Sequence, residues 1–229
     1  MKNNKKKPEN ILSFLAERSL LKQDVFCVSK EMFQSFKGIL SVKIEEFKKE
    51  LDNEKVRLQF VDKSEFEAYA YVGSDILVFS MHSNVFTFPK EHAIWKTSYV
   101  EKDADRAYCG VIHIYNFLAD SFLYSRQNDY GYLLGRVYIN KDKHFFIEGK
   151  GSLGIQYRDF VNGELDNKVV DEIINAAIAN AAEFDLLSPP YEMMSAISVQ
   201  QMQEMSSSAQ MKTGKRLGFR FNSDSDKII

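Results

Sequence analysis

The stretch FEAYAYVGSDILVFSM, residues 66–81, decides the fold. In residues 66–72 every second residue is small or apolar, which is the pattern of a strand with one buried face. A Gly-Ser-Asp turn signal follows, and it leads into a second apolar run over residues 76–81. The stretch therefore predicts two consecutive antiparallel strands.

The same strand pattern extends on both sides of this hairpin. The helical period of the first third of the chain changes to alternation at about residue 56. Further strands are expected at 85–88, 132–139 and 144–148. Residues 108–126 fit a helix or a strand, and we favour a strand through Phe117 followed by a turn of helix. Together these elements predict an antiparallel sheet of about six strands.

Helices are predicted before and after the sheet. Residues 11–20 read as a short apolar helix, and Ser29 fits the N-cap of a longer one with apolar residues recurring from Phe36 to Leu51. Asn167 is expected to cap an Ala-rich helix. The predicted class is α+β, with N-terminal helices, the sheet, an Ala-rich C-terminal helix packed on it and an extended Met/Gln/Ser-rich tail. This architecture is similar to that of PAS, GAF and profilin folds.

Composition and charge divide the chain into three segments. A chain of 229 residues with 45% hydrophobic and 27% charged residues has enough apolar material for one packed core. We expect an N-terminal helical segment over 1–55, an α+β core over 56–187 that forms one domain with it, and a flexible or partner-bound tail over 188–229.

The net charge of −2 is distributed unevenly. Residues 1–10 and 206–229 each carry +3, which leaves −8 for residues 11–205. An acidic body disfavours binding of nucleic acid or of an anionic membrane, so only the basic termini are expected to contact nucleic acid.

Two cysteines without CxxC spacing predict reduced thiols and a cytoplasmic protein. The lysines of residues 2–7 resemble the start of a secretory signal. Glu17 and Arg18 interrupt the apolar stretch that follows, so export is not expected. No window is apolar enough to span a bilayer, and no membrane partner is predicted.

One spacing resembles the active site of the PD-(D/E)xK nucleases. Asp129 is followed, after eighteen residues, by Glu148-Gly149-Lys150 at the end of a predicted strand. The resemblance implies that the two carboxylates hold Mg²⁺ or Mn²⁺ and that Lys150 activates or stabilises the attacking water. The Pro that precedes the Asp in that family is absent. The alternative interpretation is a turn Asp with a solvated Glu and Lys.

A second group of candidates has the composition of binding surfaces, which favour Trp, Tyr and Arg. The candidate partner- or ligand-binding residues here are Trp95, Tyr99, Arg106, Tyr124, Arg126 and Arg136. The basic C-terminal run adds Lys215, Arg216 and Arg220. The four histidines match no metal-ligand spacing, so no metal site or cofactor is predicted outside the nuclease alternative, and His82 is the first of them to test.

The leading hypothesis from sequence is a non-catalytic cytoplasmic binding or regulatory module. It would act through contacts with a protein partner or with itself, made by the aromatic and arginine surface and by the tail. The alternative hypothesis is a metal-dependent nuclease or phosphodiesterase that uses Asp129, Glu148 and Lys150. Nineteen of the 30 aromatic residues fall within 56–149, so the sheet is the place to look for a site.

Overall fold

The computed structural model describes residues 8–127, 129–149, 151–157, 159–185, 190–191, 196 and 198–200. Six strands form one sheet in the order β1 to β6, and every neighbouring pair is antiparallel. Their bounds are Leu58–Ser64, Glu67–Val72, Asp75–Met81, Cys109–Leu118, Tyr132–Asn140 and Phe145–Gly149. The helices α1 to α5 span Pro8–Leu51, Ser98–Lys102, Ala119–Leu123, Gly151–Gln156 and Asn167–Ala182. The predicted α+β class and the strand number are confirmed.

The alternation in β2 has the predicted effect. Ala68, Ala70 and Val72 point into the main core, where α1 and α5 pack on the same face of the sheet. The small side chains of β2 allow a helix to approach the sheet closely. Phe79 of β3 and Ile114 of β4, both 0% exposed, extend this core across the sheet.

The N-terminal region is one helix of 44 residues, and the prediction of two helices is wrong. Ser29 is not an N-cap, because it is buried inside α1 and its hydroxyl donates to the Val25 carbonyl oxygen at 2.7 Å. That bond satisfies the hydroxyl within the helix, so no break is needed. Phe36, Leu40 and Ile44 lie on the buried side of α1, as their spacing predicts.

The C-terminal helix α5 packs on the sheet as predicted, through Val170, Ile174 and Ala177. Its cap differs by one residue from the prediction. The Asp166 side chain, rather than Asn167, accepts from the backbone amide of Val169 at 2.8 Å. The predicted tail over 188–229 lies almost wholly outside the described residues.

The segment between β3 and β4 covers part of the second face of the sheet. The strand predicted at 85–88 is absent, since that segment contributes only the single bridge from Phe86 to Cys109. Pro89 follows at once, and the side chains turn to the sheet face instead, where Phe88 lies edge-on to Tyr138. The ambiguous region is a strand through Leu118 and then α3, which confirms the prediction for 108–126.

Candidate interaction surfaces

The first turns of α1 carry the largest concentration of exposed apolar side chains in the described structure. We call residues 11–20 the projection. Its large apolar side chains and their exposed fractions are Ile11 47%, Leu12 70%, Phe14 50%, Leu15 54% and Leu20 64%. Five such residues within ten positions form a patch of the kind that marks an interaction surface.

The projection continues the buried stripe of α1. Three helical turns span about eleven residues, so Phe14, Val25 and Phe36 point in nearly the same direction. Val25 and Phe36 are buried, at 0% and 1% exposure, whereas Phe14 is half exposed. At one side the projection is anchored by Arg18, which donates to the Tyr108 hydroxyl and lies 3.9 Å from the Asp105 carboxylate.

A second feature lies on the face of the sheet opposite to α1 and α5. Five polar residues on five consecutive strands pair directly with one another, and we call them the polar row. The pairs are Glu67 with Ser80, Ser80 with His113, His113 with Arg136 and Arg136 with Glu148. All five are half-buried. The antiparallel register therefore assembles one continuous polar line from residues far apart in sequence.

Two covered apolar bands flank the polar row. On one side Val111, Tyr138 and Phe146 pair across β4 to β6, and residues 86–107, which we call the covering segment, pack over them. On the other side Tyr69, Val78 and Tyr115 pair across β2 to β4. Phe122 of α3 packs on this second band through Tyr69, with ring centroids 5.5 Å apart. The row therefore lies, half-buried, between these two covers.

Glu148 makes more hydrogen bonds and ion-pair contacts than the other members of the row. Arg136 Nη2 donates to Glu148 Oε2 at 2.5 Å, and the Tyr138 hydroxyl donates to the same oxygen at 3.3 Å. His92, from the covering segment, places Nε2 3.8 Å from Glu148 Oε1. Arg136 Nε is buried and has no hydrogen-bond partner among the described residues.

Burial and the charges of the polar row shift the pKa values of His113 within it and of Tyr138 and Tyr69 beside it. Burial, followed by the positive charge of Arg136 and the proximity of His82, lowers the pKa of His113. Burial and the Glu148 carboxylate raise the pKa of Tyr138 to about 12. Burial, with a contribution from Glu67, raises the pKa of Tyr69 to about 12. These causes favour the neutral form of the His113 imidazole at the centre of the row.

The two carboxylates of the nuclease alternative bind different partners. Asp129 accepts from Ser121 Oγ at 2.7 Å and pairs with Arg126 Nε at 3.0 Å. Glu148 belongs to the polar row. Lys150 lies outside the described residues.

Two of the candidate binding residues, Tyr99 and Arg106, bond the covering segment to the turn between β5 and β6, and Trp95 makes a hydrogen bond within the segment. The Tyr99 hydroxyl donates to Asp142 at 2.9 Å, and Arg106 Nε donates to the same oxygen at 3.1 Å. Trp95 Nε1 donates to the Phe88 carbonyl oxygen at 3.1 Å. Tyr124, directly after α3, is 50% exposed. Lys215, Arg216 and Arg220 lie outside the described residues.

Sequence reasoning identified Arg136 and Glu148 but not their neighbours. Ser80 and His113 carry no motif, and the available signal was the alternation that places His113 on the same strand face as Val111 and Tyr115. The projection residues were predicted to form a short apolar helix, and no pattern in the sequence indicated that their side chains are exposed.

Within the described ranges, no three His, Cys, Asp or Glu side chains come together as a metal site. The helices in those ranges also include none with the length and hydrophobicity needed to cross a membrane. Comparisons with protein-family models, with curated proteins and with solved structures find no match.

Proposed function

We propose that the protein is a non-catalytic, cytoplasmic binding module that acts through protein contacts, and that its first contact is between the projections of two copies of the chain. One observation carries the proposal: five large apolar side chains of α1 are about half exposed or more, on a helix that buries Leu21 and Val25 in its next turns. Burying such a side chain fully is worth about 1.5–3 kcal/mol.

A second copy is the occupant that the projection fits. Phe14 and Leu15 are adjacent along the helix. A two-fold axis beside them places Phe14 of one copy against Leu15 of the other in an antiparallel helix pair. Ile11 lies on the same side of the helix and widens the contact.

Charge also favours a second copy. The first ten residues, beside the projection, carry +3, while residues 11–205 carry −8. The basic end of one copy is therefore attracted to the acidic body of another, and the attraction favours association between copies.

The test is the mass of the full chain in solution, measured by sedimentation equilibrium over a range of concentrations. We expect a dimer of two 26.4 kDa chains and a shift to monomer when Phe14 and Leu15 are both replaced by Glu. Val42→Glu is the matched control, because Val42 is 59% exposed on the same helix outside the projection. It is expected to leave the dimer intact.

Two results contradict the proposal. One is a wild-type chain that does not associate with itself at any concentration. A chain that is purified bound to a different protein, and not to a second copy, counts as the same result. The other is a double variant that keeps its native circular dichroism spectrum and still dimerises.

The nuclease stays a prediction, and the same preparation tests it. Cleavage of DNA or RNA in the presence of Mg²⁺ or Mn²⁺ that is lost in the Glu148→Gln variant would support the nuclease hypothesis over the binding module.

A further inference from the structure

Arg18 lies where the apolar stripe of α1 leaves the body of the protein. At spacings of three and four residues, the stripe runs through Phe14, Arg18, Leu21 and Val25. Leu21 and Val25 are buried, whereas Phe14 is half exposed. A charged residue therefore occupies the position between the buried part and the exposed part of an otherwise apolar stripe.

The Arg18 guanidinium joins the projection to the body. Its Cζ atom lies 5.4 Å from the centre of the Phe14 ring and 4.9 Å from the centre of the Tyr108 ring. Both distances are within the range of about 6 Å over which a cation and an aromatic face attract each other. Arg18 Nη1 also donates to the Tyr108 hydroxyl and lies 3.9 Å from the Asp105 carboxylate. Phe14 is thus linked, through one side chain, to the covering segment and to the residue that precedes β4.

We propose that Arg18 is a positioning residue for self-association and that it makes the dimer depend on the covering segment, a role that rests on the proposed contact between two projections. Arg18 holds Phe14, while Tyr108 and Asp105 hold Arg18. The apolar side chains of the projection are therefore presented to the second copy in one orientation.

The exposed end of a helix needs such an anchor. Most of the stability of a helix in a protein comes from packing, and a short helix without it is marginal in water. If residues 11–20 unwind in the free chain, dimerisation has to order them, and the free energy of ordering weakens the affinity. A guanidinium that bonds to Tyr108 and stacks on Phe14 keeps the projection helical before the second copy binds.

The chain offers a matched control on the same helix. Lys30 of α1 pairs with Glu65, and the two side chains are 42% and 51% exposed, against 39% and 48% for Arg18 and Asp105. The two ion pairs are alike in helix, charge and exposure, but Lys30 lies outside the projection. Lys30→Gln therefore removes a comparable contact and leaves the projection as it is.

The first measurement is amide hydrogen exchange of the full chain, at a concentration where sedimentation shows a monomer. Arg18→Gln is expected to raise exchange over residues 11–20 and to leave exchange in α5 unchanged. Lys30→Gln is expected to leave exchange over residues 11–20 as in wild type. Because no dimer is present, this result separates loss of order in the projection from loss of contact between copies.

The second measurement is the dimer dissociation constant of the full chain, from sedimentation equilibrium. A dimer has two projections, so losing the cation–π contacts of both is expected to raise the dissociation constant about ten-fold in Arg18→Gln. Arg18→Lys keeps the charge but not the planar guanidinium, so it is expected to fall between wild type and Arg18→Gln. Lys30→Gln is expected to dimerise like wild type.

Tyr108→Phe distinguishes positioning from direct contact with the second copy. It keeps the ring beside Arg18 and removes the hydroxyl that accepts from it. If Arg18 acts through its bond to the body, Tyr108→Phe weakens the dimer several-fold. If Arg18 instead touches the second copy directly, only the change at Arg18 weakens the dimer.

The outcomes separate this role from the proposed function. A wild-type chain that is monomeric at all concentrations overturns both. A wild-type dimer whose dissociation constant is unchanged in a folded Arg18→Gln variant, or unchanged in Tyr108→Phe, overturns the positioning role alone. The same holds if exchange over residues 11–20 does not rise in Arg18→Gln, or if Lys30→Gln weakens the dimer as much as Arg18→Gln does.

Discussion

Gly110 of β4 passes so close to Ser29 of α1 that a β-carbon at position 110 would lie 2.1 Å from the Ser29 hydroxyl oxygen and 2.7 Å from its β-carbon. The Ser29 side chain is fixed by its bond to the Val25 carbonyl oxygen. The helix and the sheet can approach this closely only because position 110 has no side chain.

Replacing Gly110 by Ala is therefore expected to destabilise the protein by about 1–3 kcal/mol, the usual effect of overpacking. Gly38→Ala on the same helix is the control. No atom lies within 4 Å of its added β-carbon, and Ala favours a helix over Gly by about 1 kcal/mol, so this variant is expected to be more stable. Urea denaturation measures both, and equal effects of the two changes would argue against the close crossing.

The pair of Arg126 and Asp129 is expected to stabilise the loop before β5. Their side chains are only 8% and 12% exposed, so removing one partner leaves the other charge buried. Arg126 has a further interaction besides Asp129, so Asp129→Ala is expected to lower the free energy of unfolding by about 1–3 kcal/mol, the effect of losing one charged hydrogen-bond acceptor. Glu183→Ala, at an exposed position after α5, is the control and is expected to have almost no effect. A fully stable Asp129→Ala variant would show that the Asp129 carboxylate does not stabilise the fold, and it would contradict the prediction.

Tyr99 is expected to hold the covering segment through its hydroxyl, which donates to Asp142 and accepts from Asn140 Nδ2 at 3.1 Å. Tyr99→Phe leaves a buried amide and a carboxylate with one partner fewer, a loss of about 1–2 kcal/mol. Amide hydrogen exchange over residues 86–107 should rise. Tyr71→Phe is the control, since the Tyr71 hydroxyl makes no hydrogen bond in the described structure. Unchanged exchange in Tyr99→Phe would mean that apolar packing alone holds the segment.

His113 is expected to make stability depend on pH. Its pKa is lowered in the folded protein, because burial, Arg136 and His82 disfavour the imidazolium. The unfolded chain then binds the proton more tightly, so this contribution to stability is present above the unfolded pKa of about 6.5 and is lost as pH falls through the folded value.

Thermal denaturation of wild type and of His113→Gln between pH 5 and 8 measures the effect. As pH falls, wild type should lose stability relative to the His113→Gln variant. A constant difference across this range would show that the imidazole titrates alike in the folded and unfolded states.

The parts of the fold that follow from local periodicity were predictable. The alternation in β2 identifies its buried face by itself, and the alanines of α5 identify a helix close to a sheet. Ser29 misled the prediction because a serine before a helical pattern resembles an N-cap, whereas the buried bond to Val25 depends on the sheet beneath. The covering segment was missed because aromatic residues such as Phe88 pack across the sheet and have no periodicity of their own.

The candidate site was predictable only in part. Arg136 and Glu148 were chosen for their residue types, and their pairing follows from the predicted hairpin. The position of Ser80 beside His113 depends on the register between β3 and β4, which are separated by 27 residues of irregular chain and short helices. No local pattern carries that register. The exposure of Phe14 likewise depends on where the sheet ends under α1.

The sequential strand order also bears on how the chain is made. Each strand pairs with the one synthesised just before it, so the sheet can grow at one edge as the polypeptide leaves the ribosome. The helix α1 is the first element to emerge, and its buried side faces strands that do not yet exist. At about 5–20 residues per second, several seconds pass between the synthesis of α1 and the synthesis of the strands on which it packs. Nascent chains of this protein should therefore depend on chaperones most strongly before β4 is complete.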